Sequence, residues 1–209
     1  MISIRSQFLF VHVPKTGGNS IQSILRNYSE DEIVTFYEHQ DGIERFGVCN
    51  RRYNITKHSP LSHYKSALDD NTYRSLFKFA VIRNPWDMMI SFYFSPHRGI
   101  TEWNRDDFLD MMEKIPTMSY YICEEPIHEQ QKLDNSIDFL MSFERLEEDF
   151  RVACERIGIP CVPLPHRNKS DRAHYSKYYD DELKIIVQNK FKDEIVFGNY
   201  SYDGIMYPR

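Results

Sequence analysis

A lysine ahead of two glycines is the first group in this sequence whose residue types and spacing could do chemistry. Lys15 precedes Gly17 and Gly18, and all three follow an apolar run from Phe8 to Val13. Apolar residues then recur at helical spacing (Ile21, Ile24 and Leu25). We therefore predict a strand, a glycine turn and a helix. Because such a turn directs unpaired backbone N–H groups and the positive end of a helix dipole at one point, the segment predicts an anion site, with phosphate as the first candidate.

A second predicted junction between strand and helix carries a cation. An apolar strand ends near Arg83, with Asn84 as a helix cap, Pro85 at the first helical position and a helix through about Phe94. In a nucleoside triphosphate site the lysine follows the glycines, and an aspartate after the next strand helps to hold magnesium. Since an arginine stands here instead, it would repel a metal ion and attract a second anion. The two junctions predict a nucleotide with phosphates in two places and no required metal.

Composition predicts a single domain over residues 1–209. The chain is 41% hydrophobic and 14% aromatic, which is ample for a core, and its formal net charge of -5 argues against nucleic acid as a partner. The four cysteines form no C-x-x-C pair, so we predict free thiols rather than a zinc knuckle or a dense disulfide framework. No stretch reads as a secretory leader or reaches the length of a membrane span. We predict a soluble, cytoplasmic protein.

Predicted strands alternate with predicted helices along the rest of the chain. Residues 31–38 are predicted as a short strand, residues 136–158 as a strand and an amphipathic helix ending at Gly158, and a further helix runs from about Asp180 to Phe191. The segment from Thr101 to Gln131 is predicted to be a lid or an acceptor-binding segment. This alternation predicts an α/β fold with a mostly parallel central sheet covered on both faces, whose ligands bind beyond the carboxyl ends of the strands.

The segment from Pro14 to Ser20 resembles the 5′-phosphosulfate loop of sulfotransferases that use 3′-phosphoadenosine 5′-phosphosulfate (PAPS). Arg83 and Ser91 resemble that family's 3′-phosphate motif, in which the arginine ends a strand and the serine lies on the following helix. Asn19 stands where the family commonly has threonine, and it can still donate a hydrogen bond to phosphate. Later segments, at 137–150 and from 168 to 200, resemble the carbohydrate-type branch. The resemblance covers most of the chain and implies a P-loop, nucleotide-kinase-like three-layer α/β fold.

The resemblance also implies a role for each residue of the two motifs. Lys15 would be both donor-binding and catalytic, neutralising charge that develops on the oxygen bridging sulfate and 5′-phosphate. The backbone amides of five loop residues would cradle that phosphate: Thr16, Gly17, Gly18, Asn19 and Ser20. Arg83 and Ser91 would bind the 3′-phosphate, and Lys169 or Ser170 would close over the nucleotide. A sulfuryl group carries less charge than a phosphoryl group, so no metal would be required.

Histidine is the side chain best matched to take a proton from an acceptor hydroxyl near neutral pH. We predict His58 as this base, because it precedes a helix that Pro60 starts. It also follows a lysine directly, in a setting similar to that of the catalytic histidine in carbohydrate-type relatives. His12, inside the first predicted strand, is the alternative base. The predicted acceptor is a hydroxyl of a glycan or a similar small molecule. Two other functions stay open: a P-loop phosphotransferase that needs Mg²⁺ and ATP, and a non-catalytic nucleotide- or glycan-binding relative.

Overall fold

The structure, a computed structural model, describes residues 1–40, 43–125, 136–165 and 172–205. The chain divides into two units, one of Met1–Ile82 with Ser119–Asn168 and one of Arg83–Met118 with Lys169–Arg209. The single domain predicted for residues 1–209 stays a prediction.

Strands and helices have the following bounds in chain order. The strands are β1 (Ile2–Ser3), β2 (Phe8–Val11), β3 (Glu32–Gln40), β4 (Ile43–Asn50), β5 (Ile55–Thr56), β6 (Phe77–Ile82), β7 (Phe139–Ser142), β8 (Tyr200–Ser201) and β9 (Gly204–Ile205). The helices are α1 (Gly18–Leu25), α2 (Leu61–Ala67), α3 (Asp70–Ser75), α4 (Pro85–Tyr93), α5 (Arg105–Lys114), α6 (Met118–Ile122), α7 (Leu146–Ile157), α8 (Asp181–Lys190) and α9 (Lys192–Gly198). Short 3-10 helices occupy Pro96–Arg98, Phe143–Arg145 and Tyr175–Lys177.

The central sheet of the first unit has the order β1-β2-β6-β7. β2, β6 and β7 are parallel, and β1 pairs antiparallel with β2 at the edge. The predicted α/β class with a mostly parallel central sheet is confirmed. Val11 pairs with Ala80 and Ile82 with Ser142, so the three parallel strands end side by side.

The strand predicted at residues 31–38 forms, but outside the central sheet. β3 pairs antiparallel with β4, and β4 with β5, in a separate three-stranded sheet. Sequence reasoning missed β4. A usable signal was present, because Asp41-Gly42 between the two strands is a pair of residue types that favours two-residue hairpins.

One apolar cluster holds the first unit together. Phe8 and Phe10 on β2 and Phe79 on β6 are fully buried, and the Phe79 ring centroid lies 6.1 Å from that of Phe8 and 5.2 Å from that of Phe10. The apolar sides of α1 and α7 join the same cluster (Ile21, Ile24 and Leu25; Phe150, Ala153, Cys154 and Ile157). Burying one such aromatic side chain contributes about 1.5–3 kcal/mol, so the cluster fixes the strand from which the glycine turn departs.

The second unit contains α4, α5, α8, α9 and the β8–β9 hairpin. The predicted cap of α4 is confirmed, since the Asn84 Oδ1 accepts hydrogen bonds from the backbone N–H groups of Trp86 (3.1 Å) and Asp87 (3.3 Å). Trp86 is buried, and its Nε1–H donates to the Lys184 carbonyl of α8 at 3.1 Å. Residues 126–131 of the predicted lid lie outside the described residues, and the lid role stays a prediction.

Candidate functional site

Gly17 makes the turn between β2 and α1 possible. Its φ is +85°, in the left-handed region that favours glycine, and Lys15 also has a positive φ of 65°. A Cβ at position 17 would lie 2.8 Å from Leu146 Cδ2 and 3.2 Å from the Phe143 ring. Backbone conformation and crowding both require glycine here.

The start of α1 presents unused hydrogen-bond donors. Among the described residues, the backbone N–H groups of Gly17, Gly18 and Asn19 have no hydrogen-bond partner, whereas that of Ser20 donates to the Gly17 carbonyl at 3.0 Å. The first turn of α1 contains no acidic side chain. The Thr16 side chain is buried, and its hydroxyl donates to the Val13 carbonyl at 2.8 Å, which ties the turn to the strand. Three free N–H groups and a helix dipole favour an anion at this point.

His58 is held by a hydrogen bond that fixes its tautomer. Its Nδ1 lies 3.0 Å from the His12 carbonyl oxygen. A carbonyl can only accept, so Nδ1 carries the hydrogen and Nε2 keeps the basic lone pair in the neutral ring. Loss of solvation among the surrounding protein atoms lowers the pKa of His58 to about 4; the hydrogen bond to His12 opposes this shift, and the charges of Lys57 and the N-terminal amine contribute to it. His58 is an exposed residue, and at neutral pH it is a neutral imidazole ready to accept a proton.

His12 differs from His58 in burial. It is only 4% exposed, and its ring centroid lies 4.4 Å from that of His58. Burial first, and then the charges of His58, Lys57 and the N-terminal amine, lower the pKa of His12 well below its ordinary value. Its Nδ1 has no hydrogen-bond partner within the described part of the chain.

Arg83 belongs to a buried charge cluster in the second unit. It is 8% exposed, and its Nε donates to the Asp87 carboxylate at 2.9 Å. Arg172 Nη2 donates to the other oxygen of the same carboxylate at 2.5 Å. Burial opposes ionisation of Asp87, but the two guanidinium groups outweigh it and lower the pKa of the carboxyl. Two arginines therefore converge on one carboxylate.

Ser91 lies one turn beyond Asp87 on α4 and is 6% exposed. Residues four apart share a helix face, so Ser91 follows Asp87 on the side that faces Arg83. Lys169 and Ser170 lie outside the described residues.

Sequence reasoning missed the contribution of Arg172, since 85 positions separate it from Asp87 and no local spacing signals the contact.

The structure brings the predicted residues together in two groups. In the first unit, the turn from Lys15 to Ser20 lies beside His12, which in turn contacts His58. In the second unit, Arg83 shares Asp87 with Arg172. Within the described ranges there is no cluster of three or more potential metal ligands, and no helix there is long and apolar enough to cross a membrane.

A family model described as "Sulfotransferase family" matches residues 1–201. No curated protein and no solved structure gives a match to the chain.

Proposed function

The chain belongs to the sulfotransferase family, and on that premise we propose that it transfers a sulfuryl group from PAPS to a hydroxyl of a glycan or a similar acceptor. The observation that carries this proposal is the turn before α1. Lys15 stands beside three backbone N–H groups without partners, and no acidic side chain in the first turn of α1 opposes an anion. We assign the 5′-phosphosulfate of the donor to this turn, in a nucleotide-kinase-like three-layer fold.

The proposed reaction is a single in-line displacement at sulfur. The acceptor oxygen attacks sulfur, the bond from sulfur to the oxygen of the 5′-phosphate breaks, and 3′-phosphoadenosine 5′-phosphate leaves. Lys15 stabilises the charge that grows on the departing oxygen, while the amides from Thr16 to Ser20 hold the phosphate. One lysine and several N–H groups suit this charge without a metal ion.

His58 is the better candidate for the base that takes the acceptor proton. Its Nε2 carries the free lone pair, since Nδ1 is engaged by the His12 carbonyl. His12 is buried, and the rings of Phe10 and His58 both lie against it. Bound donor would raise the pKa of His58, because nearby negative charge favours the imidazolium form. The base would therefore strengthen when the donor is in place.

We assign the 3′-phosphate to Arg83 and Ser91, and we add Arg172. Two guanidinium groups lie together at Asp87, and such groups can each donate paired hydrogen bonds to a phosphate. Asp87 holds both guanidinium groups in place before the ligand arrives, which lowers the cost of ordering them. Closure by Lys169 or Ser170 remains part of the proposal, as does a cytoplasmic location.

Calorimetric titration with 3′-phosphoadenosine 5′-phosphate tests the donor site. We expect metal-independent binding that weakens by about 10- to 100-fold in Arg83→Ala, since hydrogen bonds to charged groups contribute about 1.5–3 kcal/mol. Arg105→Ala is the matched control, because Arg105 pairs with the carboxylates of Asp180 and Glu182 and is 36% exposed.

This titration, together with an assay of transfer from PAPS, separates the alternatives. Preference for ATP with Mg²⁺ would favour a P-loop phosphotransferase. Tight binding of the bisphosphate without transfer from PAPS to any of a panel of sugars would favour a non-catalytic relative. No binding of any nucleotide would overturn the assignment of the turn.

A further inference from the structure

His12 contacts both halves of the proposed reaction machinery in the first unit. It follows β2 directly, and the pairing of Val11 with Ala80 fixes the backbone before it. Phe10, two residues earlier, lies on the same face of the strand with its ring 6.1 Å from the His12 ring. The imidazole is thus anchored by the core of the sheet rather than by a loop.

One edge of the His12 ring occupies the space of a side chain at position 18. A Cβ on Gly18 would lie 2.1 Å from His12 Cδ2 and 2.3 Å from His12 Nε2. The ring is therefore seated against the backbone of the first residue of α1. Gln22, one turn further along α1, is fully buried beside this ring, without a hydrogen bond of good geometry to it. The start of the helix cannot move toward the sheet without displacing His12.

The same residue holds His58 at two points. The rings of His12 and His58 lie 4.4 Å apart at an angle of 49°, and the His12 carbonyl accepts the hydrogen bond from His58 Nδ1. Rotation of His58 about its side chain would break the hydrogen bond and collide with the neighbouring ring. The direction of the His58 Nε2 is therefore set by His12.

We propose that His12 is a positioning residue whose ring fixes the spacing between the anion-binding turn and the His58 base. The part that this spacing plays in catalysis rests on the proposed function, whereas the contacts of the His12 ring do not. The ring must stay uncharged, because the groups that face it are cations or can become so: His58, Lys57 and the N-terminal amine of Met1. The site requires the shape of a neutral ring at this position, and the imidazole of His12 takes no part in proton transfer.

Three variants test the proposal: His12→Ala, His12→Phe and His58→Ala. We expect kcat to fall by about 10- to 100-fold in His12→Ala, since a misplacement of 1 Å can cost that much. His12→Phe keeps an aromatic ring at this position and should recover most of the kcat that His12→Ala loses, because a ring again separates the start of α1 from His58. The KM for the acceptor should change less than kcat in both variants.

A second readout does not depend on turnover. NMR titration of the His58 ring should give a pKa near 4 in the natural protein, shifted upward in His12→Ala and little changed in His12→Phe. The groups that act on His58 besides His12 are Lys57 and the N-terminal amine, and both stay in place in these variants.

The outcomes separate this inference from the proposed function. If His12→Ala keeps the kcat and the His58 titration of the natural protein, His12 does not position the base. If His12→Phe is as inactive as His12→Ala while His58→Ala is active, then His12 itself is the base and the inference is wrong. If the natural protein transfers no sulfuryl group, the proposed function fails, and the His58 titration still decides whether His12 holds that ring.

Discussion

The contact between Gly18 and the His12 ring predicts a strong coupling between substitutions at the two positions. In Gly18→Ala, the added methyl group would lie 2.1–2.7 Å from three atoms of the ring. These separations are far below van der Waals contact, and the rings of Phe10 and His58 leave the imidazole little room to give way. Either the ring or the start of α1 must shift.

A double-mutant cycle gives the size of the coupling free energy between the two substitutions. Overpacking of this kind costs about 1–3 kcal/mol, whereas alanine in place of glycine in a helix is favourable by about 0.5–1 kcal/mol. The helical gain is present with or without the ring, so it cancels in the cycle. The coupling free energy between Gly18→Ala and His12→Ala should therefore equal the clash, about 1–3 kcal/mol.

Urea denaturation followed by circular dichroism measures the four free energies of unfolding. Gly158→Ala is the control partner for His12→Ala, because Gly158 has a φ of 69° and no atom within 4 Å of a Cβ built on it. Gly158→Ala should destabilise the protein on its own by about 1–2 kcal/mol and add to His12→Ala within about 0.5 kcal/mol. A coupling for Gly18 and His12 as small as that of the control pair would refute the contact.

Two further predictions concern charge. The pKa of His58 is lowered from 6.5 to about 4 on folding, so the unfolded chain binds the proton more tightly and the free energy of unfolding should fall as pH falls from 6.5 to 4. His58→Gln should show a shallower fall in denaturation experiments across this range, and equal slopes for the two proteins would contradict the shift. Asp87→Asn removes a carboxylate that is 19% exposed and contacts two arginines. It should lower the free energy of unfolding by about 2–4 kcal/mol and weaken the binding of 3′-phosphoadenosine 5′-phosphate in calorimetry, because the two guanidinium groups are no longer held in place. An affinity equal to that of the natural protein would show that Asp87 does not prepare the two arginines for the ligand.

Local signals predicted the elements that carry the candidate site. The apolar run before Pro14 became β2, the spacing of Ile21, Ile24 and Leu25 became the buried side of α1, and Asn84 caps α4 as its residue type indicates. Gly158 ends α7 with a left-handed φ of 69°, as predicted. These features depend on residues within about four positions of one another, since capping and helical periodicity act over one turn.

Contacts between distant parts of the chain were not predictable in the same way. His12 and His58 are 46 positions apart, and Arg172 is 85 positions from Asp87. β3 had the composition of a strand, yet its pairing with β4 rather than with the central sheet depends on which partner it meets. Strand propensity describes a fit to a half-buried surface and says little about the partner.

The sequence by itself thus determined the glycine turn before α1, the arginine that follows β6 and the mostly parallel sheet, because each depends on short-range spacing. Only the tertiary structure decided that the His12 ring fills the space at Gly18, that Nε2 is the basic nitrogen of His58 and that Arg83 shares its carboxylate with Arg172. Hydrogen bonds and steric exclusion act over a few ångströms, and folding alone brings such distant residues within that range.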